Sequence, residues 1–292
     1  MTPRLSFVLS LAFLFACCSS VFAEERITYS GLSEGYWQLW TISPDGTHKQ
    51  KITSSPFDKR EPAWIHNGRG LMFRTNNGEV WMVDLKSGTE ARILTNYPVV
   101  HNPHYCDATG EIVFVRVAPS PEGGGFIWKT NLEDKYPLVL TREGVLKYQP
   151  YFSWQCDKIA FVKADLATAS HHIWTMNADG KNQDQATAGE GFFTLPAFSP
   201  DQKTLVMTAA TNTDDYEIYT LDLTDKTLTR LTQEPGLDTH AKFSPDGESI
   251  VFVSNRTGSQ QIWSMDKNGR NLKQITSGPE ECVAPVWGRV DM

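Results

Sequence analysis

The sequence has little cysteine, no long hydrophobic run in its interior and no excess of positive charge. It contains 292 residues, of which 5 are cysteine, 27 are basic and 34 are acidic, giving a net charge of −7. Nucleic-acid phosphates and anionic lipids attract basic surfaces, so we expect neither as a partner. Beyond residue 23 no apolar stretch approaches the roughly 20 residues of a membrane-spanning helix, so no transmembrane span is predicted.

The motifs of several common enzyme classes are also absent. The sequence has no Walker A motif, no H-E-x-x-H and no paired-cysteine zinc motif. Gly31–Gly35 matches G-x-S-x-G, but a nucleophile elbow needs a helix after its serine, and Tyr36–Trp40 reads as a strand. We therefore expect a loop between two strands at this point, and we assign no catalytic residue.

Residues 1–23 have the pattern of a secretory signal peptide. Arg4 precedes an apolar run from Leu5 to Ala16, and residues 21–23 (Val-Phe-Ala) fit the small-residue rule for cleavage after Ala23. Residues 14–17 (Leu-Phe-Ala-Cys) offer the alternative of a lipobox, in which Cys17 would carry a lipid. The prediction is a periplasmic or secreted protein whose mature part, residues 24–292, is one domain.

Three series of residues recur along the mature chain with gaps of 41 to 47 residues. The first series is Trp40, Trp81, Trp128, Trp174, Tyr219 and Trp263. The second is Thr53, Thr95, Thr141, Thr187, Thr232 and Thr276. The third is Trp64, Tyr105, Phe152, Phe198, Phe243 and Trp287. A fixed period of this length is the signature of a repeat architecture. Seven of the nine tryptophans occupy two of these series, so we expect them to serve in packing.

Each repeat reads as four short antiparallel strands. In residues 241–276, turn sequences such as Ser244–Gly247 separate runs of β-forming residues such as Ile250–Val253. Such sheets bury both faces when they pack around an axis, which predicts an all-β, six-bladed β-propeller of four-stranded antiparallel blades. The first repeat lacks its opening strand, and Ala284–Trp287 is an unmatched opening strand. We therefore expect the C-terminal strand to complete the first blade and close the ring.

Several segments of the repeat resemble a known family. These are residues 243–247 (Phe-Ser-Pro-Asp-Gly), 262–266 (Ile-Trp-Ser-Met-Asp), 173–180 and 43–46. They resemble the WD40-like PD40 repeat of TolB-type propellers, over essentially the whole mature chain. The resemblance covers the propeller only, without the N-terminal α/β domain of TolB. Similar repeats occur in propellers of prolyl-oligopeptidase-type peptidases and of oligogalacturonate lyases.

The candidate binding site lies at the start of the innermost strands, where a propeller has the mouth of its central channel. The residues one, three and four positions before the third-series aromatic are largely polar there. They are Arg60, Glu61, His101, Asn102, His104, Tyr148, Gln149, Tyr151, Thr194, Thr239, His240 and Lys242. Their position predicts a channel-mouth site for a ligand or for a partner peptide.

Three functions remain open at this point. The first is a monomeric, non-catalytic module, without a cofactor, that binds a protein or peptide of the cell envelope. The second is a metal-dependent polysaccharide lyase of the oligogalacturonate type, in which His101, His104 and His240 would bind a divalent metal. The third is a structural propeller whose channel holds only solvent.

The cysteines allow one specific crosslink. Cys106 and Cys156 follow the third-series aromatics of neighbouring repeats, which makes them candidates for a disulfide. Cys282 would then be the remaining thiol of the mature chain.

Cleavage of the leader can be measured directly. In a secreting host we expect the mature protein to begin at Glu24, as read by intact mass and N-terminal sequencing. Replacing Cys17 by Ser should leave the mass of the mature protein unchanged, because Cys17 would be removed with the leader. A23R should block cleavage. A lipid-modified Cys17 would instead establish the lipoprotein alternative, and retention of Met1 would contradict both.

Overall fold

The computed structural model describes residues 24–117, 124–133, 135, 137–142, 144–165, 167–211 and 215–290. The predicted signal segment, residues 1–23, lies outside these described residues. Within them the chain is all-β, as expected, and contains no helix. No helix that could cross a membrane is therefore present in this part of the chain.

The strands follow one another as antiparallel meanders. The first eleven are β1 (Glu24–Ser33), β2 (Tyr36–Ile42), β3 (Gln50–Lys51), β4 (Arg60–Ile65), β5 (Gly70–Arg74), β6 (Val80–Asp84), β7 (Glu90–Ile93), β8 (His101–Cys106), β9 (Glu111–Val117), β10 (Gly125–Asn131) and β11 (Leu138–Val139). The next eight are β12 (Lys147–Phe152), β13 (Lys158–Asp165), β14 (Ser170–Asn177), β15 (Asp184–Gln185), β16 (Phe192–Phe198), β17 (Thr204–Ala210), β18 (Glu217–Asp222) and β19 (Leu228–Arg230). The last five are β20 (Asp238–Phe243), β21 (Ser249–Ser254), β22 (Gln261–Asp266), β23 (Lys273–Gln274) and β24 (Cys282–Val290).

The prediction of six separate four-stranded blades is wrong. The described strands form four four-stranded sheets, namely β24-β1-β2-β3, β4–β7, β8–β11 and β20–β23. Strands β12–β19 instead belong to one eight-stranded sheet. The cause is a parallel pairing of His171 in β14 with Phe192 in β16, where the His171 N–H donates to the Gly191 carbonyl at 3.3 Å. This single bridge joins two meanders that would otherwise be separate sheets.

The expected closure by the C-terminal strand is present. Strand β24 pairs antiparallel with β1, from Glu24 opposite Val290 to Gly31 opposite Cys282. The opening strands β4, β8, β12, β16, β20 and β24 contact one another in order, and β24 contacts β4. The sheets therefore surround a central axis, and the edge of the first sheet is covered.

The hydrophobic core lies between neighbouring meanders. One cluster joins Met72 of β5 to Phe114 of β9, and another joins Tyr29 of β1 to Val253 of β21 across the closure. The seven tryptophans of the repeating series pack against such clusters, which confirms their predicted role. They are Trp40, Trp64, Trp81, Trp128, Trp174, Trp263 and Trp287. Face-to-face packing is thus what the aromatic repeat provides.

The threonine series has a hydrogen-bonding role that its period alone did not disclose. In five repeats the threonine hydroxyl accepts the backbone N–H of a hydrophobic residue within the third strand, at 2.8–3.0 Å. These pairs are Thr53–Leu39, Thr141–Ile127, Thr187–Ile173, Thr232–Ile218 and Thr276–Ile262. Because the threonine follows the short fourth strand, this hydrogen bond ties the chain after the fourth strand to the third strand of the same repeat. Thr95 departs from this pattern because it is exposed and Leu94 is buried in its place.

The G-x-S-x-G match is a hairpin, as predicted. Gly31, Leu32 and Ser33 end β1, and Ser33 pairs with Tyr36 at the start of β2. A strand therefore follows the serine, and the helix that a nucleophile elbow requires is absent at this position.

The threonine hydrogen bond can be tested by comparing Thr276, which makes it, with the exposed Thr95, which departs from the pattern. Replacing Thr276 by Val keeps the side-chain shape but removes the acceptor for the Ile262 N–H and the donor to Gln261 Oε1, both at 2.8 Å. Leaving these buried groups unpaired should cost about 1–3 kcal/mol in the free energy of unfolding. T95V should change it by no more than about 0.5 kcal/mol. Urea unfolding with matched m-values measures both, and equal losses would contradict the assignment.

Candidate functional site

Each innermost strand carries an irregularity at the same place. The pairing register shifts there, and one residue of each strand has a positive φ. These residues are Glu61 (54°), Asn102 (46°), Gln149 (51°), Leu195 (56°), His240 (56°) and Ala284 (51°). A left-handed conformation is costly for a residue with a side chain, so six corresponding instances mark a constraint that the surrounding structure enforces.

Proline follows this bulge in most of the strands. Pro62, Pro103, Pro150, Pro196 and Pro285 come directly after a positive-φ residue, whereas Ala241 takes the place in β20. Because the ladder is interrupted at a bulge, a residue without an N–H leaves no backbone hydrogen bond unmade. The repeated proline therefore belongs to the channel wall.

The bulges line one end of a central cavity of about 650 Å³. Its wall contains the residues three and one positions before the third-series aromatic. Among the predicted site residues, these are Glu61, Asn102, His104, Gln149, Tyr151, His240 and Lys242. The residues four positions before the aromatic are outside the wall. They are Arg60, His101, Tyr148, Thr194 and Thr239.

The residues outside the wall have partners of their own. The Arg60 guanidinium lies 3.8 Å from the centre of the Trp37 ring, and burial lowers its pKa. The Tyr148 hydroxyl is hydrogen-bonded to Nδ1 of His171. The buried Thr239 hydroxyl accepts from the Thr208 hydroxyl at 3.2 Å.

Two predicted residues of the wall link one bulge to the next. Asn102 Oδ1 accepts the Gln149 backbone N–H at 3.3 Å. Gln149 Oε1 in turn accepts the Leu195 N–H at 2.8 Å and the Thr194 hydroxyl at 2.5 Å. These amides therefore stabilise the ring of bulges, and their acceptor oxygens are already occupied.

Two buried polar atoms of the ring find no partner among the residues that the structure describes. Glu61 Oε2 and His240 Nδ1 make no hydrogen bond to any of them. Burial raises the pKa of Glu61, against the opposing effect of Arg74 and Arg60. Burial, with the positive charge of Lys242 second, lowers the pKa of His240 to about 3. Both side chains are thus poised to interact with a group that enters the cavity.

Further inside, three predicted residues form one group. The rings of His104 and Tyr151 lie 3.6 Å apart, and Lys242 Nζ lies 4.8 Å from the centre of the Tyr151 ring. His104 Nδ1 accepts the Phe152 N–H at 3.2 Å, so a neutral His104 carries its proton on Nε2. Burial and the Lys242 charge lower the pKa of His104 to about 3, and burial lowers that of Lys242 to about 8.

The three histidines do not form the metal site considered from the sequence. Among the residues that the structure describes, no group of three or more His, Cys, Asp and Glu side chains is placed to hold a metal ion. His104 uses Nδ1 within the wall, and His101 lies outside the wall, where burial and Arg74 lower its pKa. The register shift between His101 and His104 separates the two positions.

The far end of the cavity was not predicted. Its wall there includes residues that follow the third-series aromatics: Asn67, Asp107 and Trp154 in the turns after the innermost strands, and Arg289 within β24. Asp107 Oδ1 accepts the Asn67 N–H at 3.1 Å, and burial raises the Asp107 pKa. The same repeat alignment, read two or three residues past the aromatic, would have found most of them.

Near this end the structure joins Cys106 to Cys156. Their Cα atoms are 6.0 Å apart, so the disulfide links the end of β8 to the turn after β12. Cys282 remains a free, buried thiol.

Comparison with known proteins identifies the same architecture. A family model described as TolB beta propeller domain matches residues 137–290, more than half of the chain. No curated protein matches the chain at a significant level.

Solved structures extend the likeness to nearly the whole chain. TolB from Acinetobacter baumannii superposes with a TM-score of 0.78 and 18% identity over 90% of this chain, which spans 66% of that protein, just under two thirds. A protein assigned as TolB from Agrobacterium tumefaciens gives 0.72 and 15%, covering 92% of this chain and 99% of that one. An oligogalacturonate lyase in complex with manganese gives 0.59 and 16%, covering 86% and 74%. At these identities the likeness shows the fold alone.

The disulfide can be tested by counting thiols. In unfolded, non-reduced protein that comprises residues 24–292, only Cys282 should react with iodoacetamide, and reduction should release two more thiols. C106S should expose Cys156 to alkylation and cost about 2–4 kcal/mol of stability, because the closed loop restricts the unfolded chain. C282S is the matched control, with the crosslink intact. Three reactive thiols without reduction would contradict the pairing.

Proposed function

Because this chain belongs to the family of TolB β-propeller domains, we propose that it is a non-catalytic module that binds a protein or peptide at the mouth of its channel. The observation that carries the proposal is the pair of unpartnered polar atoms, Glu61 Oε2 and His240 Nδ1, in the ring of bulges. A buried polar group without a partner costs about 1–3 kcal/mol. A ligand that hydrogen-bonds to both side chains would recover this free energy.

The shape of the site supports an inserted ligand over a flat contact. Ligand cavities of roughly 300–1,000 Å³ are typical, and the channel has about 650 Å³. Its wall consists of strands fixed by the Asn102 and Gln149 hydrogen bonds, so little conformational freedom would be lost on binding. A peptide segment of a partner protein fits such a rigid cavity.

We place this activity in the periplasm or outside the cell, with the protein acting as a monomer. The predicted signal segment supports export, and the Cys106–Cys156 disulfide suits an oxidising compartment. The lyase alternative is not carried further, because His101, His104 and His240 do not assemble a ligand set.

The proposal is tested by selecting random dodecamer peptides, displayed on phage, against the immobilised mature protein. Synthetic copies of the selected peptides should bind saturably in solution by fluorescence anisotropy. E61Q combined with H240N should weaken their binding at least about 10-fold, which corresponds to 1.4 kcal/mol. Asn is chosen at position 240 because it tolerates the left-handed backbone.

The matched control is E190Q, since Glu190 is exposed and outside the cavity wall. It should leave the affinities unchanged. Peptides that bind equally to the double variant would refute the channel mouth as the site. A selection that yields no saturable binder would refute peptide binding itself.

A further inference from the structure

Lys242 is a cation in the channel wall whose contacts, among the described residues, include no anion. Its Nζ donates to the neighbouring Ala241 carbonyl, at 3.3 Å, and lies over the Tyr151 ring. Within the described part of the chain, no carboxylate forms an ion pair with it. Lys59, a lysine buried elsewhere, instead donates to the carbonyls of Ser55 and Phe57, both at 2.8 Å. The Lys242 ammonium is therefore incompletely solvated by the protein.

Two neutral imidazoles stand near this cation. His104, His240 and Lys242 line the same cavity, and the His104 ring and the Lys242 ammonium both contact the Tyr151 ring. The positive charge of Lys242 contributes to the low pKa of both histidines. Within the described residues His240 Nδ1 makes no hydrogen bond, and a neutral His104 carries its proton on Nε2, where it can donate. The group thus offers one full positive charge and neutral ring nitrogens that can donate a hydrogen bond.

We propose that Lys242, His104 and His240 form a receptor for one carboxylate group of the ligand. The inference rests on the proposed function, because the carboxylate would belong to the bound peptide, as an acidic side chain or as its C-terminus. A hydrogen bond between an ammonium and a carboxylate is among the stronger polar contacts in a protein. It would supply the partner that Lys242 lacks.

The surrounding charges favour a single carboxylate over a phosphate group. Besides Lys242, the wall carries the acidic Glu61 and Asp107 against one further basic side chain, Arg289, so a doubly charged anion would be repelled more strongly than a single carboxylate. The receptor has one lysine and lacks an arginine. Phosphate groups prefer the two-pronged guanidinium of arginine, which hydrogen-bonds them through two N–H groups at once. A monovalent anion matches the charge that Lys242 provides.

The receptor is tested first with acetate alone. Protein carrying ¹³C-lysine shows the Lys242 ε-methylene signal, assigned by its loss in K242R. Titration with pH should give a pKa near 8 in sodium chloride. Sodium acetate at the same ionic strength should raise this pKa by about one unit, a tenfold change in proton affinity, and should shift the signal saturably. The titratable neighbours to be followed in parallel are His104, His240, Tyr151 and Glu61.

Variants separate binding from folding. K242M keeps much of the side-chain volume and should abolish the acetate effect on the His104 and His240 ring signals, with thermal unfolding confirming that the protein is folded. K203M is the control, because Lys203 is exposed and outside the cavity. Acetate shifts no larger than those of chloride, or tighter binding of inorganic phosphate than of acetate, would overturn the receptor.

The peptides of the preceding selection identify the source of the carboxylate. Amidating the C-terminus, or changing one Asp or Glu to its amide, should weaken binding to the wild type at least tenfold and have no further effect in K242M. Peptides that bind at the mouth but ignore both changes would overturn the inference and leave the proposed function intact. Acetate binding without any peptide binder would leave the receptor intact and overturn the proposed function.

Discussion

The bulge in each innermost strand is the constraint on which the site depends. One residue takes a left-handed conformation, the next needs no N–H, and the side chains beyond it exchange faces. The bulge therefore decides which polar residues face the cavity and which face a neighbouring sheet. Glu61 and His240 owe their positions to this backbone geometry, and the amides of Asn102 and Gln149 stabilise it from one strand to the next.

Much of the fold could be predicted because its packing repeats. The aromatic series, and the threonine series in five of its six repeats, mark contacts that the sheets make with their neighbours or within themselves, so the spacing carries the information. The eight-stranded sheet could not be predicted in the same way. It arises from a single backbone bridge between His171 and Phe192, and a bridge of that kind imposes no pattern on side chains. Thr95 illustrates the converse, since it keeps the period without the contact.

The sequence predicted where the candidate site lies, but only some of the residues that form its wall. Counting back from the aromatic gave three positions per strand, and the structure divides them cleanly. Tyr148 and Thr239, four residues before it, bind to neighbouring strands, whereas Tyr151 and Lys242, one residue before it, face the cavity. The usual alternation of side chains along a strand does not predict this division, because the bulge inserts an extra residue between the two positions. The electrostatics follow the same division, since Lys242 acts on the two histidines that share its wall.

The pairing of β24 with β1 has a consequence for how the protein is made. Glu24 lies opposite Val290, so the two ends of the ring meet only after the whole chain is available. Until then β1 presents an unpaired edge, and the contact that covers it is among the most distant along the chain. During synthesis the first sheet must wait for the last strand. A chaperone that holds the emerging polypeptide open would protect this edge from pairing with another chain.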